Sequence, residues 1–143
     1  MMLVDTSIWV DHFNNHASLE AGHLARCISA DQPIVLSGIV LTEILAGFRT
    51  DADAERVADR LSGFDLAPEL LEDDYREAAR IYRVCRNRGS TLRSPLDCLI
   101  AQTCLRHGYE LLARDRDFPA IARHFPLRQV EVRLQIHDRA RGG

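Results

Sequence analysis

Five acidic residues stand where separate segments of the chain could bring their carboxylates together: Asp5, Glu43, Asp97, Asp115 and Asp117. Two carboxylates about 4 Å apart repel each other by roughly 4 kcal/mol at an effective dielectric constant of about 20, so such a group is unstable without a cation. Oxygen ligands without a thiolate or an organised histidine set favour Mg²⁺ or Mn²⁺ over Zn²⁺. The chemistry this predicts is hydrolysis of a phosphodiester by metal-activated water.

Each of these acids also has a structural interpretation. Asp97 stands three residues after a serine, a spacing that matches a capping box, and Asp5 could cap the helix that follows it. Asp115 and Asp117 could be ordinary loop acids. Glu43 is harder to explain in this way, because an acid on an apolar helix is costly to bury without a partner. The hypothesis therefore depends on the set and not on any one member.

The hydrophobic pattern predicts strands that alternate with helices. The predicted strands cover residues 2–5, 34–36, 64–67, 109–113 and 130–134. The predicted helices begin near residue 8 and after residue 18, and then cover residues 37–47, 53–62, 68–88, 94–107 and 119–124. This alternation implies a mostly parallel sheet covered on both faces. Such sheets bind ligands at the carboxyl ends of their strands, where Asp5 and the loop at Arg114–Phe118 are expected to lie.

Composition sets outer limits on the function. The chain has 143 residues, 46% of them hydrophobic, which predicts one globular domain at residues 1–137 and a flexible tail at residues 138–143. A signal peptide or membrane anchor is not expected, so we predict a cytoplasmic protein. The four cysteines lack paired spacing and are interpreted as buried thiols. The net charge of -3 argues against a nucleic-acid partner, but all 18 basic residues are arginine, which grips phosphate bidentately.

Four motifs together resemble those of a known family. They are V-D-T-S at Val4–Ser7, the helical acid Glu43 followed by Gly47, R-S-x-x-D-C-L-I-A at Arg93–Ala101 and R-D-R-D-F at Arg114–Phe118. In this order and spacing the sequence resembles the PIN-domain ribonucleases, and most closely the VapC toxins, from Leu3 to about Val132.

The resemblance implies an α/β/α sandwich with a mostly parallel sheet, Mg²⁺ or Mn²⁺ as cofactor, and endonucleolytic cleavage of RNA, often in tRNA or ribosomal RNA loops. The implied catalytic residues and metal ligands are Asp5, Glu43, Asp97 and Asp115, with Asp117 as companion or substitute. Thr6 and Ser7 match the hydroxyl residues of the family and are expected to contact RNA. A threonine that often precedes the last acids is Ala113 here, which leaves the choice between Asp115 and Asp117 open.

The arginines offer two kinds of RNA contact. Arg93 is expected beside the metal site, where a cation can hold the scissile phosphate. Arg76, Arg80 and Arg83 form a stripe on one predicted helix, but acids on the same helix make a solvated face with ion pairs an equal interpretation.

The resemblance to VapC-like proteins also implies two partners. These are a second copy of the chain in a homodimer, and a small antitoxin whose tail lies over the active site and restrains it. Apolar side chains near the sheet edge would supply a groove for that tail if exposed, and would otherwise be core: Ile8, Trp9, Phe13, Ile44, Leu45 and Phe48.

Other classes fit less well. A receiver-like phosphoacceptor domain needs a lysine after a late strand, and the chain has none. A haloacid-dehalogenase phosphatase needs D-x-D after the first strand, where this chain has Asp5-Thr6-Ser7. A housekeeping PIN nuclease or a degenerate, non-catalytic PIN binding module remains the alternative within the resemblance.

Overall fold

The computed structural model describes residues 1–133, and within them the chain forms four strands and seven helices. The strands are β1 (Met2–Val4), β2 (Ile34–Leu36), β3 (Asp65–Leu66) and β4 (Glu110–Leu112). The helices are α1 (Thr6–Phe13), α2 (Leu19–Ser29), α3 (Gly38–Ala46), α4 (Asp51–Leu61), α5 (Glu72–Asn87), α6 (Pro95–His107) and α7 (Asp117–Ala122).

The four strands form one parallel sheet in the order β3-β2-β1-β4. The chain moves from β1 through β2 to β3, then returns across the sheet to place β4 on the other side of β1. Because crossovers between parallel strands are right-handed, α1 to α4 cover one face while α5 and α6 cover the opposite face. The helices contact one another in the same two groups. The predicted α/β class, a three-layer α/β/α sandwich with a parallel sheet, is confirmed.

The central helix α6 shows how local signals define an element. Ser94 caps its first turn through a hydrogen bond from the Leu96 amide, and Pro95 occupies the first helical position. Gly108 ends the helix with φ of 71°, a left-handed conformation that glycine adopts without steric cost. The helix packs between α5 and the sheet, which buries Cys98, Ile100, Ala101 and Cys104, while Leu96 in its first turn is exposed.

Three of the apolar residues expected near the sheet edge belong to the core. Ile8 and Trp9 are fully buried and Ile44 is 2% exposed. The others, Phe13, Leu45 and Phe48, are half-buried and pack against that core. The core interpretation is therefore the correct one for the first three, and they do not line a free groove.

Four predicted helix starts differ from the structure by more than one residue, and two of these helices begin two residues earlier than predicted, α1 at Thr6 and α4 at Asp51. The other two have a visible local cause. Helix α5 begins at Glu72 and not at residue 68, because the Asp74 carboxylate accepts a 2.8 Å hydrogen bond from the Leu71 amide and defines the first turn there. Helix α7 begins at Asp117 and not at residue 119, because Asp115 accepts a hydrogen bond from the Asp117 amide. Two of the five residues of the predicted charged loop, Asp117 and Phe118, are therefore helical.

The end of the described chain also differs from prediction. Residues 130–133 form no strand, and the only pairing there is a parallel bridge between Leu111 and Gln129 within residues 1–133. Leu134 and the predicted tail at residues 138–143 lie outside the described residues. Cys85, Cys98 and Cys104 are buried free thiols, as predicted, whereas Cys27 is half-buried. No helix of residues 1–133 has the length and apolar character needed to cross a membrane.

Candidate functional site

The candidate site lies where the connections of the sheet reverse direction. Strand β1 continues to β2 on one side, and its other neighbour is β4, which the chain reaches last. Parallel sheets bind ligands at the carboxyl ends of strands at such a switch point. Asp5 directly follows β1, and its amide donates a 2.9 Å hydrogen bond to the Leu112 carbonyl at the end of β4. Asp115 follows β4 and is thereby brought to the same edge.

Three acids form a compact group at this edge. Asp97, Asp115 and Asp117 each offer a carboxylate oxygen, and these oxygens all lie within 4.8 Å of one another. Asp97 comes from the first turn of α6 and Asp117 from the first turn of α7. Their arrangement can hold one divalent cation.

Backbone hydrogen bonds hold two of the three carboxylates in place. The Asp117 amide donates to Asp115 Oδ1 at 2.9 Å, and the Arg93 amide donates to Asp117 Oδ2 at 2.9 Å. The Arg93 guanidinium also binds Asp115 Oδ2. The segment before α6 and the loop after β4 are therefore tied together through these two acids.

Asp5 and Glu43 lie beside the compact group without being part of it. Thr6 Oγ1 donates a 3.0 Å hydrogen bond to Glu43 Oε1, which links α1 to α3 at the site. The charges of Asp5 and Glu43 both raise the pKa of Asp97, so both carboxylates are near it. Glu43 is exposed, so its place on the apolar helix α3 carries no burial cost.

Two of the acids hold protons more strongly than free carboxylic acids do. Burial raises the pKa of Asp97 to about 7, helped by a hydrogen bond with Asp117 and by the charges of Asp5, Asp117 and Glu43. Burial and the charge of Glu43 raise the pKa of Asp5 to about 6, against the opposing effects of the Thr6 amide, Arg93 and Arg114. Burial and mutual repulsion thus disfavour the charged forms of Asp97 and Asp5 when no cation is bound.

The residues present fit a hard divalent cation. The ligand group contains only carboxylate oxygens, which suit Mg²⁺ and Mn²⁺. Cys98 is next to Asp97 in the chain, but its side chain is fully buried in the core, and burial raises the pKa of its thiol to about 12. In residues 1–133 the Ser7 hydroxyl is buried without a hydrogen-bond partner, which leaves an unsatisfied polar atom next to Thr6.

Helix capping does not account for Asp5 or Asp97. Asp5 stands at the N-cap of α1 but makes no capping hydrogen bond with its side chain. The cap of α6 is Ser94 itself, which accepts from the Leu96 amide. In the described residues Asp97 makes no hydrogen bond to the Ser94 amide, so the capping box that the spacing allowed is not formed.

Sequence reasoning missed one ion pair at the site. Arg114 Nη1 lies 2.5 Å from Asp11 Oδ2, and Asp11 is buried near the end of α1. A signal for it exists, because Asp11 follows the core residue Ile8 by three positions and therefore falls on the buried face of the helix.

One member of the arginine stripe on α5, Arg80, is engaged in local contacts, and so is the nearby Arg86. Arg80 forms a 2.7 Å ion pair with Glu77 and lies over the ring of Phe125. Arg86 stacks on the Tyr82 ring one turn back. These contacts favour the solvated-face interpretation for Arg80.

A model of the PIN domain family matches residues 2–124 of this chain. Ribonuclease VapC11 of Mycobacterium tuberculosis is 36% identical over 137 residues, which cover 93% of this chain and all of that protein. This chain belongs to the PIN-domain family, among the VapC ribonucleases. The match includes every residue of the acidic site.

Solved structures show the same fold at lower sequence identity. VapBC2 from Rickettsia felis, bound to a DNA fragment from its promoter, superimposes with a TM-score of 0.72 at 18% identity, covering 92% of this chain and 98% of that one. A toxin-antitoxin complex from Klebsiella pneumoniae has a TM-score of 0.65 at 23% identity, covering 82% and 90%. PIN nucleases generally use divalent metals, and the acidic cluster of this PIN domain is the feature that matches such use.

Proposed function

We propose that this chain is an endoribonuclease that depends on Mg²⁺ or Mn²⁺ and acts as the toxin of a toxin-antitoxin pair. The observation that carries the proposal is the group of three carboxylates, within 4.8 Å of one another, at the switch point of the sheet. The VapC relative, which is named a ribonuclease, supports RNA as the substrate.

In this proposal each acid has a distinct task. Asp97, Asp115 and Asp117 hold the cation, and Asp5 and Glu43 stand beside it to orient water or a second ion. A bound Mg²⁺ or Mn²⁺ would polarise the phosphate and the attacking water. Thr6 holds Glu43 by its 3.0 Å hydrogen bond, while the Ser7 hydroxyl is buried without a hydrogen-bond partner in residues 1–133, which places it out of reach of RNA as the site stands.

Arg93 is the proposed phosphate contact. Its side chain is 70% exposed and its guanidinium touches Asp115, so it stands at the mouth of the acidic group. When a cation takes over the neutralisation of Asp115, the guanidinium can turn to a phosphate oxygen of RNA.

The direct test is RNA cleavage by the purified chain. We expect cleavage of total cellular RNA with Mg²⁺ or Mn²⁺, loss of cleavage in excess chelator, and recovery when the metal is restored. Asp97→Asn should lower the rate at least about 100-fold, the range seen when one electrostatic contact to a transition state is removed. Asp73→Asn, at an exposed acid on α5, is the matched control and should cleave normally.

Two outcomes would contradict the metal-dependent mechanism. One is undiminished cleavage in excess chelator. The other is an Asp97→Asn variant that cuts as fast as the wild-type chain.

The proposed partners are a small antitoxin and a second copy of this chain. The Klebsiella pneumoniae complex, with the same fold, supports the antitoxin. For the homodimer the support is an apolar surface where Leu66, Leu71 and Tyr75 are each more than half exposed beside a cavity of about 420 Å³. A monomeric mass in sedimentation at micromolar concentration would contradict the dimer.

A further inference from the structure

The loop that carries Asp115 is held from both sides by charged side chains. On one side the Arg93 guanidinium binds Asp115. On the other side Arg114, the residue just before Asp115, forms an ion pair with Asp11 of α1, with 2.5 Å between Nη1 and Oδ2. Ala113 offers no polar side chain to orient this loop, so the two ion pairs add to the backbone hydrogen bonds that Asp115 and Asp117 accept.

Asp11 is more constrained than a surface acid. Its residue is 7% exposed, and its Oδ2 also accepts a 3.2 Å hydrogen bond from the Ser18 hydroxyl at the start of α2. A buried carboxylate without its cationic partner is strongly unfavourable, so Asp11 holds Arg114 in one place. Arg114 is the more exposed partner, with a side chain 37% exposed, and without Asp11 it would be free to move.

The position of Arg114 matters for the acids next to it. Strand β4 ends at Leu112 and α7 begins at Asp117, so only four residues connect them. A shift of Arg114 in so short a connection moves Asp115, and through the hydrogen bond from the Asp117 amide to Asp115 it also disturbs Asp117. Two of the three members of the acidic group therefore depend on where Arg114 is held.

We propose that Asp11 is a positioning residue for the metal site, acting through Arg114 to set the loop at residues 113–116 so that Asp115 and Asp117 face Asp97. The inference rests on the proposed metal-dependent function, which it deepens by adding a residue outside the acidic group. Outer contacts that orient metal ligands commonly change metal affinity by about 10- to 100-fold when lost.

The test measures Mn²⁺ binding directly, from the free Mn²⁺ signal in electron paramagnetic resonance, so that it does not depend on RNA cleavage. Asp11→Asn keeps the size of the side chain and its hydrogen bond with Ser18 but removes the ion pair. We expect it to weaken Mn²⁺ binding by at least about 10-fold.

Ser18→Ala is the matched control. It removes the other partner of Asp11 and the N-cap of α2, where the Ala21 amide is the donor, so it destabilises the same corner without touching Arg114. We expect it to lower the melting temperature while leaving Mn²⁺ affinity unchanged. If Ser18→Ala weakens Mn²⁺ binding as much as Asp11→Asn does, the role of Asp11 is only to stabilise the fold, and the inference is overturned.

Arg114→Gln distinguishes an effect of loop positioning on Mn²⁺ affinity from an effect of charge alone. It also tests the inference if the Asp11→Asn variant does not fold. Removing a positive charge beside the acids would tighten cation binding if charge alone mattered. Loss of positioning predicts the opposite, a binding weaker by about 10-fold. Tighter or unchanged binding in Arg114→Gln overturns the inference.

The result for the wild-type chain distinguishes the two proposals. No Mn²⁺ binding by the wild-type chain would remove the proposed metal site and this inference with it. Wild-type binding that Asp11→Asn and Arg114→Gln leave unchanged would overturn this inference alone.

Discussion

Asp97 is the acid whose ionisation is most strongly opposed by burial and by neighbouring carboxylates. It lies in the first turn of a buried helix, close to Asp117, Asp5 and Glu43, and its pKa is raised to about 7. A carboxylic acid in this state gives up its proton when a cation arrives, so metal binding should weaken as the pH falls below about 7.

The same shift predicts how the stability of the metal-free protein depends on pH. The folded state binds a proton at Asp97 between about pH 4 and pH 7 that the unfolded state has released, so stability falls as pH rises through this window. Asn at this position has no proton to lose. The melting temperature of Asp97→Asn in chelator should therefore exceed that of wild type at pH 8, with a gap that narrows toward pH 4.

Melting curves of both proteins across this pH range measure the gap. A gap that stays constant with pH would mean that Asp97 does not ionise within this window in the folded state.

At the scale of elements, α5 and α6 are joined by a buried acid. Asp74 is 2% exposed, and its Oδ1 lies 2.9 Å from Arg106 Nη1 and 3.2 Å from Gln102 Nε2 on α6. Burial acts to raise its pKa, but the Leu71 amide, Arg106 and Gln102 together hold the pKa below its usual value. The helix pair that presents Asp97 is thus stabilised far from the site itself.

Asp74→Ala should destabilise the protein by about 3 kcal/mol at neutral pH, because it removes the three hydrogen bonds that this buried carboxylate accepts from the Leu71 amide, Gln102 and Arg106. The contribution is present above the unfolded pKa of 3.8 and is lost as pH falls through the lowered folded pKa, so the difference from wild type should shrink in acid. Urea unfolding at pH 7 and pH 3 measures it.

The neighbouring acid provides a control at the same end of the helix. Asp73 is exposed in the same first turn, and Asp73→Ala should cost no more than about 1 kcal/mol, from the helix dipole alone. Equal losses for the two variants would show that the contacts of Asp74 with α6 contribute nothing.

At the scale of the whole molecule, Asp97, Asp115 and Asp117 lie at the carboxyl ends of the parallel strands, with the exposed Arg93 beside them. An unrestrained nuclease of this kind damages the cell that makes it, which is why the proposal includes an antitoxin. We expect expression of this chain alone to arrest growth, and Asp5→Asn or Asp97→Asn to relieve the arrest. Co-expression of the product of the neighbouring upstream gene should suppress both the arrest and RNA cleavage.

Growth curves and RNA integrity after induction measure these effects. If the active chain accumulates harmlessly in cells without that neighbour, while still cutting RNA in vitro, a housekeeping RNA-processing nuclease replaces the toxin.

The sequence by itself determined most of the architecture, because the signals involved are local. Buried strands are short apolar runs. The ends of α6 are determined by Ser94-Pro95 and by Gly108, whose backbone preferences act within one turn. From alternating strands and helices follow the parallel sheet and its ligand-binding edge. The five acids could therefore be named as a set, and the arginine beside them as well.

Only the tertiary structure decided how those acids divide. It groups Asp97 with Asp115 and Asp117 and leaves Asp5 and Glu43 beside them, because that grouping depends on how α6 packs against the loop after β4. It also turns Glu43 to solvent and pairs Asp11 with Arg114 across segments that are distant in the chain. Residue spacing specifies neighbours along one helix or strand, whereas distances between segments are set by the packing of the whole core.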